Sequence, residues 1–424
     1  MGEKMTPEIK QRIEQIRRGE VPEGYRYIRN SICPIDWTMK RVGDCIEEYR
    51  EISNDIQSFP VYSSSRKGLV LQSEYYDQKK TEETNLGYKI VPNGYVTYRH
   101  MSDDDVFHFN INQTGGAILV SSEYPVFTSA NGVAIGFLIP ALNDTVRFRY
   151  FCRTQKLGGT RTRLYLKNLS QYRLSVPCFQ EQQKIAAILT TQDKVIELKE
   201  KRLVEKQRQK KYLMQQLLTG KKRLPGFSGE WTDEELSNFC EFVGGGTPDT
   251  HNQLFWNGSI PWISSADLVM DDFKSIAITR FITQQAVKFT GAKLCPKGCI
   301  LLVSRVGVGK IAIAPTDLCT SQDFTNIIQH KHNSLFLLYA LYYLMRKNVK
   351  QTQGSAIKGI TVKEIKNFSL KFPTILEQTA IAEVLTAADR EIDLLRQEIE
   401  QEKQKKKALM QLLLTGIVRV NDDK

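Results

Sequence analysis

Residues 177–220 read PCFQEQQKIAAILTTQDKVIELKEKRLVEKQRQKKYLMQQLLTG, and residues 373–416 read PTILEQTAIAEVLTAADREIDLLRQEIEQEKQKKKALMQLLLTG. The two stretches align without a gap at an offset of 196 residues, with about 19 of 44 positions identical. Both Glu-Gln pairs and both Leu-Leu-Thr-Gly ends are among them. Shared helical composition alone does not produce identity at that level, so the chain is a duplication.

Each copy reads as one long helix. In the second, Ile381, Leu385, Ala388, Ile392, Leu395, Ile399, Leu409 and Leu413 form an a/d seam interrupted by Glu402 and Lys406. The first keeps the register with Ile185, Leu189, Ile196, Leu203, Leu213 and Leu217, but places Gln192, Lys199, Lys206 and Lys210 at seam positions. Such a polar seam makes a poor homodimeric zipper, yet the second copy is slightly acidic. The two helices are therefore expected to pack on each other, antiparallel, as a pseudo-twofold pair. Helix starts are marked by Pro177 and Pro373 and by a capping box at Thr374 and Glu377; stops are marked by Gly220 and Gly416.

The repetition extends outward. Residues 158–177 (GGTRTRLYLKNLSQYRLSVP) parallel 354–373 (GSAIKGITVKEIKNFSLKFP), PNGYVTYR at 92–99 parallels PKGCILLVSR at 296–305, and Asp36-Trp37-Thr38 parallels Glu230-Trp231-Thr232. An N-terminal amphipathic helix with Thr6 as cap, Pro7 in the first turn and Ile9, Ile13 and Ile16 on one face ends near Gly19. The expected divisions are an N-terminal helix and connector (1–24), a first variable domain (25–176), the central repeat helix (177–221), a second variable domain (222–372), the C-terminal repeat helix (373–416) and a tail (417–424). The variable segments mix β-like runs (Gly115–Ser121, Val133–Ile139, Cys299–Val303, Ile311–Ala314) with a helical one (Leu335–Arg346). The fold class is α/β (α+β): two similar domains joined by two long antiparallel coiled-coil helices.

Bulk properties fit that plan. With 41% hydrophobic residues, cores are affordable and disorder is not the default. No apolar run is long enough for a membrane span, and the charged N-terminus carries no secretory signal, so a cytoplasmic location is expected. The eight cysteines are scattered, Cys295 and Cys299 lack a second pair at zinc-ligand spacing, and His330 and His332 read as a solvated turn; no metal site is expected. The net charge of +12 is concentrated in the variable segments and the first repeat helix, as suits a surface meeting phosphate.

The helix openings P-x-x-x-E-Q-x-x-I-A-x-x-L, the L-L-T-G closings, and IPWISSADL (260–268), GCILLVSRVGVGKIAIA (298–314) and TSQDF (320–324) resemble the specificity subunit of prokaryotic type I restriction-modification systems. The resemblance covers nearly the whole chain. It implies that each variable segment is a target recognition domain reading half of a bipartite sequence in double-stranded DNA, and that the helical pair sets the spacer and docks two modification (methyltransferase) subunits. Restriction-translocation subunits join some such complexes. It places S-adenosylmethionine, ATP and Mg in partner subunits, leaving this chain without cofactor or catalytic residues.

Motif absences agree. No N-P-P-[YF] or D-P-P-Y motif of a base-flipping methyltransferase is present. Gly244–Thr247 runs into Pro248, and Ser304–Ile311 lacks the first glycine and the final hydroxyl of a phosphate-binding loop. Two alternatives remain. Pro248-Asp249 with Asp272-Phe273-Lys274 fits the loose pattern of a metal-dependent DNA endonuclease, and a non-enzymatic coiled-coil DNA adaptor or scaffold would share the helices.

Affinity for DNA comes from Lys and Arg on phosphates, and sequence discrimination from side chains that pair with base edges. Candidates in the first domain are Ser64, Ser65, Arg66 and Lys67 in a polar loop, Arg99 after a strand, and Arg161 and Arg163 in the GGTRTR loop. In the second they are Thr247, Ser264, Ser265, Arg305, Lys310 and Lys358.

Overall fold

The structure, a computed structural model, describes residues 6–28, 31–72, 87–156, 158, 160–351 and 359–420. It divides into two compact units, Met1–Glu200 with Gln397–Lys424, and Lys201–Arg396. The cut falls inside two 39-residue helices, the central helix Phe179–Leu217 and the C-terminal helix Ile375–Leu413. Each unit thus holds part of each helix together with one intervening segment.

In the first unit the helices run antiparallel, and the polar seam residues find acidic partners. Gln192 Nε2 donates to the Glu402 carboxylate at 2.8 Å, and Lys199 Nζ reaches Glu398 at 3.0 Å and Glu402 at 3.2 Å. Lys406 meets Asp193 at 2.6 Å, so partner numbers fall on one helix as they rise on the other. Ile185, Leu189 and Ile196 are buried along the seam, and Ile185, Leu189, Met410, Leu413 and Leu414 belong to one core with Trp37, Tyr98, Phe109, Phe127 and Phe137. Helix and sheet domain therefore share one hydrophobic core rather than meeting as separate bodies.

Around that core lies an antiparallel sheet in the order Asn110–Ile111, Val96–Thr97, Val126–Ser129, Ile46–Glu48, and a three-stranded sheet of Ile118–Val120, Tyr88–Val91 and Ile52–Ser53. A hairpin, Tyr62–Ser65 with Gly68–Leu71, and a short ladder of Met101–Ser102 with Thr162–Arg163 carry loops away from the core. One expected strand is a helix. Val133–Ile139 leads into and forms part of Ile135–Asp144, where Phe137, Leu138, Ile139, Ala141 and Leu142 are all buried. A helix buried on most of its faces loses the 3.6-residue alternation and reads like a core strand.

In the second unit, Cys240–Gly244, Thr325–His330, Ile300–Leu302 and Ile311–Ile313 form one sheet. Arg280–Ile282, Trp256–Ile263, Leu318–Thr320 and Leu294–Cys295 form another, in which Trp256–Ile263 pairs parallel with Leu318–Thr320. The helix Ser334–Gln351 packs Phe336, Leu337, Leu341 and Met345 into the same core as Leu302, Ile311, Met214 and Leu385. Here too the helices are antiparallel: Lys206 Nζ lies 2.7 Å from Glu391, and Lys210 pairs with Asp389. Near the C-terminal end of the central helix the seam drifts, burying Met214 with Leu217 and Leu218 while Leu213 is only half-buried. A straight helix of 3.6 residues per turn slides off a 3.5-residue repeat in this way.

The repeated helix ends have a shared structural reason. In the first unit Arg419, three residues past Gly416, makes a two-pronged bond to Glu181 (2.8 and 2.9 Å) and another to Asp36 (2.8 and 2.6 Å). In the second, Arg223, three past Gly220, grips Glu377 at 2.6 Å through both Nε and Nη2. Each guanidinium lies over a repeated tryptophan, Arg419 over Trp37 and Arg223 over Trp231. The adjacent glutamines cap elsewhere: Gln182 accepts from the Ala134 amide at 2.7 Å and Gln378 from the Asn333 amide at 2.9 Å. The capping box at Thr374 is therefore half right. Thr374 Oγ1 accepts from the Glu377 amide at 3.4 Å, but the Glu377 carboxylate serves Arg223. Gly416 has φ +73, and a Cβ there would lie 2.6 Å from Pro34, so this helix end requires glycine.

The His330–His332 stretch is not a solvated turn. His330 ends a strand, and His332 stacks on Phe372 with ring centroids 3.7 Å apart, its Nδ1 3.1 Å from Gln378 Nε2. Phe372 leads into the C-terminal helix, which draws the imidazole inward.

Candidate nucleic-acid interface

In the first unit three separated segments bring most of the candidates together. Ser64 and Ser65 end a strand rather than lying in a loop; Arg66 and Lys67 form the hairpin tip. Arg66 pairs with Asp104, and Arg161 Nε donates to Asp103 Oδ1 at 2.9 Å. Arg163 sits opposite Met101 in the short ladder, and Thr162 Oγ1 bonds Asp105. The Asp103–Asp105 turn is set by Ser102, whose hydroxyl donates to Asp104 Oδ1 at 2.9 Å and accepts from the Val106 amide at 3.1 Å. Bonding to Arg66 holds the Asp104 carboxyl below its ordinary range. Arg99, exposed, follows Val96–Thr97 at the approach to this turn.

Ser64 is 4% exposed, and its hydroxyl accepts from Asn110 Nδ2 at 2.7 Å, so in this structure it supports the hairpin from within. Ser65 Oγ donates to the Gly68 carbonyl at 2.9 Å and accepts from the Lys67 amide, closing the hairpin turn. Short hydroxyls are readily captured by nearby backbone in this way.

In the second unit Thr247, exposed, bonds Gln322, and the Gly246 amide donates to the Thr320 carbonyl at 2.8 Å. Ser264 caps the turn Ser265–Asp267, its capping box completed by Asp267, which also binds Arg280. Ser265 is 8% exposed; its carbonyl accepts from Lys310 Nζ at 2.8 Å. It therefore supports the turn from within, and Lys310 is a strut between two loops. Arg305 is exposed, its amide donating to the Asp323 carbonyl at 3.2 Å. Lys358 lies outside the described residues. The turns bearing Ser264 and Ser265, Arg305 and Lys310, and Gln322 and Asp323 thus converge at one end of the sheets, with Thr247 joined through Gln322.

Sequence reading missed the Asp103–Asp105 turn, Arg280 and Gln322. A three-carboxylate run looks like a solvated surface, and its arginine partners lie 38 and 58 residues away in the chain. The endonuclease pattern breaks into local turns. Asp249 Oδ1 accepts from the His251 amide at 2.9 Å, and Asp272 Oδ1 accepts from the amides of Lys274 and Ser275.

Two units with a repeated frame and different loops fit a protein that reads something in two parts. The family model described as type I restriction modification DNA specificity domain matches twice, over residues 34–206 and 228–404. The chain belongs to that family. It is 25% identical over 421 residues to a putative type I restriction enzyme MjaX specificity subunit of Methanocaldococcus jannaschii, covering 91% of this chain and 95% of that one. It is 36% identical over 167 residues to the MjaIX specificity subunit of the same organism, a match spanning 38% of each chain. With the EcoR124I/EcoR124II specificity subunit of Escherichia coli it shares 28% over 253 residues, 54% of this chain and 59% of the relative.

Solved structures show the same fold. A chain from work titled as the structural basis of complex assembly and conformational transition of the type I R-M system aligns with a TM-score of 0.60 at 17% identity, over 93% of this chain and all of that one. The type I system S subunit of M. genitalium aligns with a TM-score of 0.54 at 11% identity, over 92% and 97%. As a specificity subunit, this chain is the non-catalytic, DNA-recognising component of a type I system. Among the described residues no helix is long and apolar enough to cross a membrane.

Proposed function

We propose that the segments 25–176 and 222–372 each read one half of a split sequence in double-stranded DNA in the cytoplasm of a prokaryote. The paired repeat helices set the spacing of the halves and dock two modification subunits. S-adenosylmethionine acts in those subunits, and ATP and Mg in restriction-translocation subunits where these join. The observation that carries the reading is the double match of the DNA specificity domain to two segments whose frames repeat and whose loops differ. Two helices of 39 residues, about 58 Å each at 1.5 Å per residue, support the spacing role.

Among the sequence candidates, Arg66, Lys67, Arg99, Arg161 and Arg163 are proposed as DNA contacts of the first half, and Thr247, Ser264, Arg305 and Lys358 of the second. Ser64, Ser65, Ser265 and Lys310 serve as supports beneath them.

The test is a domain exchange. The chain is co-expressed with its modification subunits, residues 25–176 are replaced by the equivalent segment of a relative, and the methylated sequence is read genome-wide. One half of the motif is expected to change while the other stays. A motif unchanged in both halves refutes the proposal.

A further inference from the structure

The carboxylate partners of Arg66 and Arg161 separate two kinds of DNA contact within the first unit. Arg66 and Asp104 are both half in solvent, with side chains 55% and 52% exposed, as are Arg161 and Asp103 at 51% and 67%. Exposed ion pairs between loops contribute little to stability, so these pairs are poorly explained as fold supports. Each is nevertheless built. Ser102 fixes Asp104, Thr162 fixes Asp105, and the ladder of Met101–Ser102 with Thr162–Arg163 joins the acidic turn to the strand beside Arg161.

A guanidinium already facing a carboxylate is nearly neutral as a pair and releases little counterion on meeting a phosphate. It keeps its unused N–H donors. Arg161 spends Nε on Asp103, which leaves its two terminal nitrogens as a fork, and a fork matches the O6 and N7 acceptors of guanine in the major groove. Arg66 spends Nη2 on Asp104 and keeps Nη1 and Nε. By contrast, Lys67, Arg99 and Arg163 are exposed and form no ion pair among the described residues, so each can neutralise a phosphate.

We infer that Arg161 and Arg66 are guanine-reading residues of the first half-site, held in reading position by Asp103 and Asp104, while Lys67, Arg99 and Arg163 supply phosphate contacts. The inference rests on the proposed function and adds base chemistry to it: the half-site read by residues 25–176 contains G·C pairs, and two of them depend on these arginines.

The experiment uses the full chain with its modification subunits and reads the methylated motif genome-wide. Arg161→Ala and Arg161→Lys are each expected to relax one G·C position of one half-site, lowering discrimination there by roughly 5- to 100-fold. Lysine retains the charge but lacks the fork, so a phosphate role would survive that change and a guanine-reading role would not. Arg66 variants relax a different position. Asp103→Asn relaxes the Arg161 position and raises affinity for unrelated DNA. Arg163→Ala leaves the motif intact, weakens binding to every sequence alike, and lowers the salt dependence by about one ion.

Base preferences unchanged at every position in both Arg161 and Arg66 variants, with uniform weakening, overturn the inference, as does a first half-site without G·C pairs. A domain exchange that changes the motif while these variants do not sinks only the base assignment. An exchange that leaves the motif unchanged sinks the proposed function itself.

Discussion

Arg419→Met tests why the duplicated chain repeats a glutamate at each helix start and an arginine three residues past each helix end. Glu181 is 2% exposed, and Arg419 supplies two bonds to it. Without Arg419 the carboxylate keeps, among the described residues, Trp37 Nε1 at 3.2 Å and the Val420 amide at 3.3 Å. Removing one partner of a buried pair costs about 3–5 kcal/mol, and the two surviving donors put this case near the lower end. Glu181→Gln keeps neutral hydrogen bonding to Trp37 and leaves Arg419 with Asp36, so about 1–2 kcal/mol is expected. If the pair is the unit, the double variant costs less than the sum of the singles by about 2 kcal/mol. Unfolding of a two-unit chain need not be two-state, so the suitable assay is native-state hydrogen exchange over residues 179–189 and 410–418, compared across the four proteins of the cycle. A loss below about 0.5 kcal/mol in Arg419→Met, or strict additivity, would refute the clamp as the reason for the repeated motif.

Two further outcomes are expected. Lys210 and Asp389 form a mostly buried pair, with Lys210 Nζ 4.7 Å from the Phe273 ring centroid and Tyr339 Oη donating to Asp389 at 2.5 Å. Asp389→Ala should therefore destabilise the second unit by about 3 kcal/mol, while Lys210→Met with Asp389→Leu should cost only about 1 kcal/mol in a urea melt, the cost of weakening the bond of the Tyr339 hydroxyl; equal losses in the two would contradict this. Stability should also fall as pH drops below about 6.5. Burial holds the imidazoles of His100, His108, His330 and His332 below their ordinary value, so the unfolded chain protonates first and the folded state loses stability from there downward. Asp36 and Glu402, held low by Arg419 and Gln192, add a separate loss below about pH 4.5. Urea midpoints equal at pH 7.5 and 5.5 would rule out the histidine contribution.

What the amino-acid sequence disclosed about the fold followed how local its signals were. The antiparallel pairing of the repeat helices was legible because Gln192, Lys199, Lys206 and Lys210 occupy seam positions that only an acidic partner satisfies, and Glu402, Glu398, Glu391 and Asp389 meet them. Helix periodicity places such residues on one face without any knowledge of the tertiary fold. The helix Ile135–Asp144 was illegible because burial on most sides erased that periodicity. At the candidate interface, residue type identified the arginines, but Ser64 and Ser265 were indistinguishable from exposed serines until their burial was seen.

The duplication itself explains which chemistry recurs. Asp193 and Asp389 occupy equivalent places in the two copies, as do Lys210 and Lys406, so an antiparallel pair generates the same bond twice: Lys406 with Asp193 in one unit and Lys210 with Asp389 in the other. Glu181 with Arg419 and Glu377 with Arg223 obey the same exchange. Each repeated pair joins the beginning of one copy to the end of the other, so each copy, with the arginine that follows it, contributes one partner to a clamp and one to an ion pair in each unit. The loops obey no such constraint. Arg66 and Arg161 meet an acidic turn in the first unit, whereas Thr247, Gln322 and Arg280 are held by neutral and acidic side chains of different loops in the second. A frame fixed by reciprocal bonds and loops free of them can change what one half reads without disturbing the other, and for that reason the domain exchange is expected to alter a single half-site.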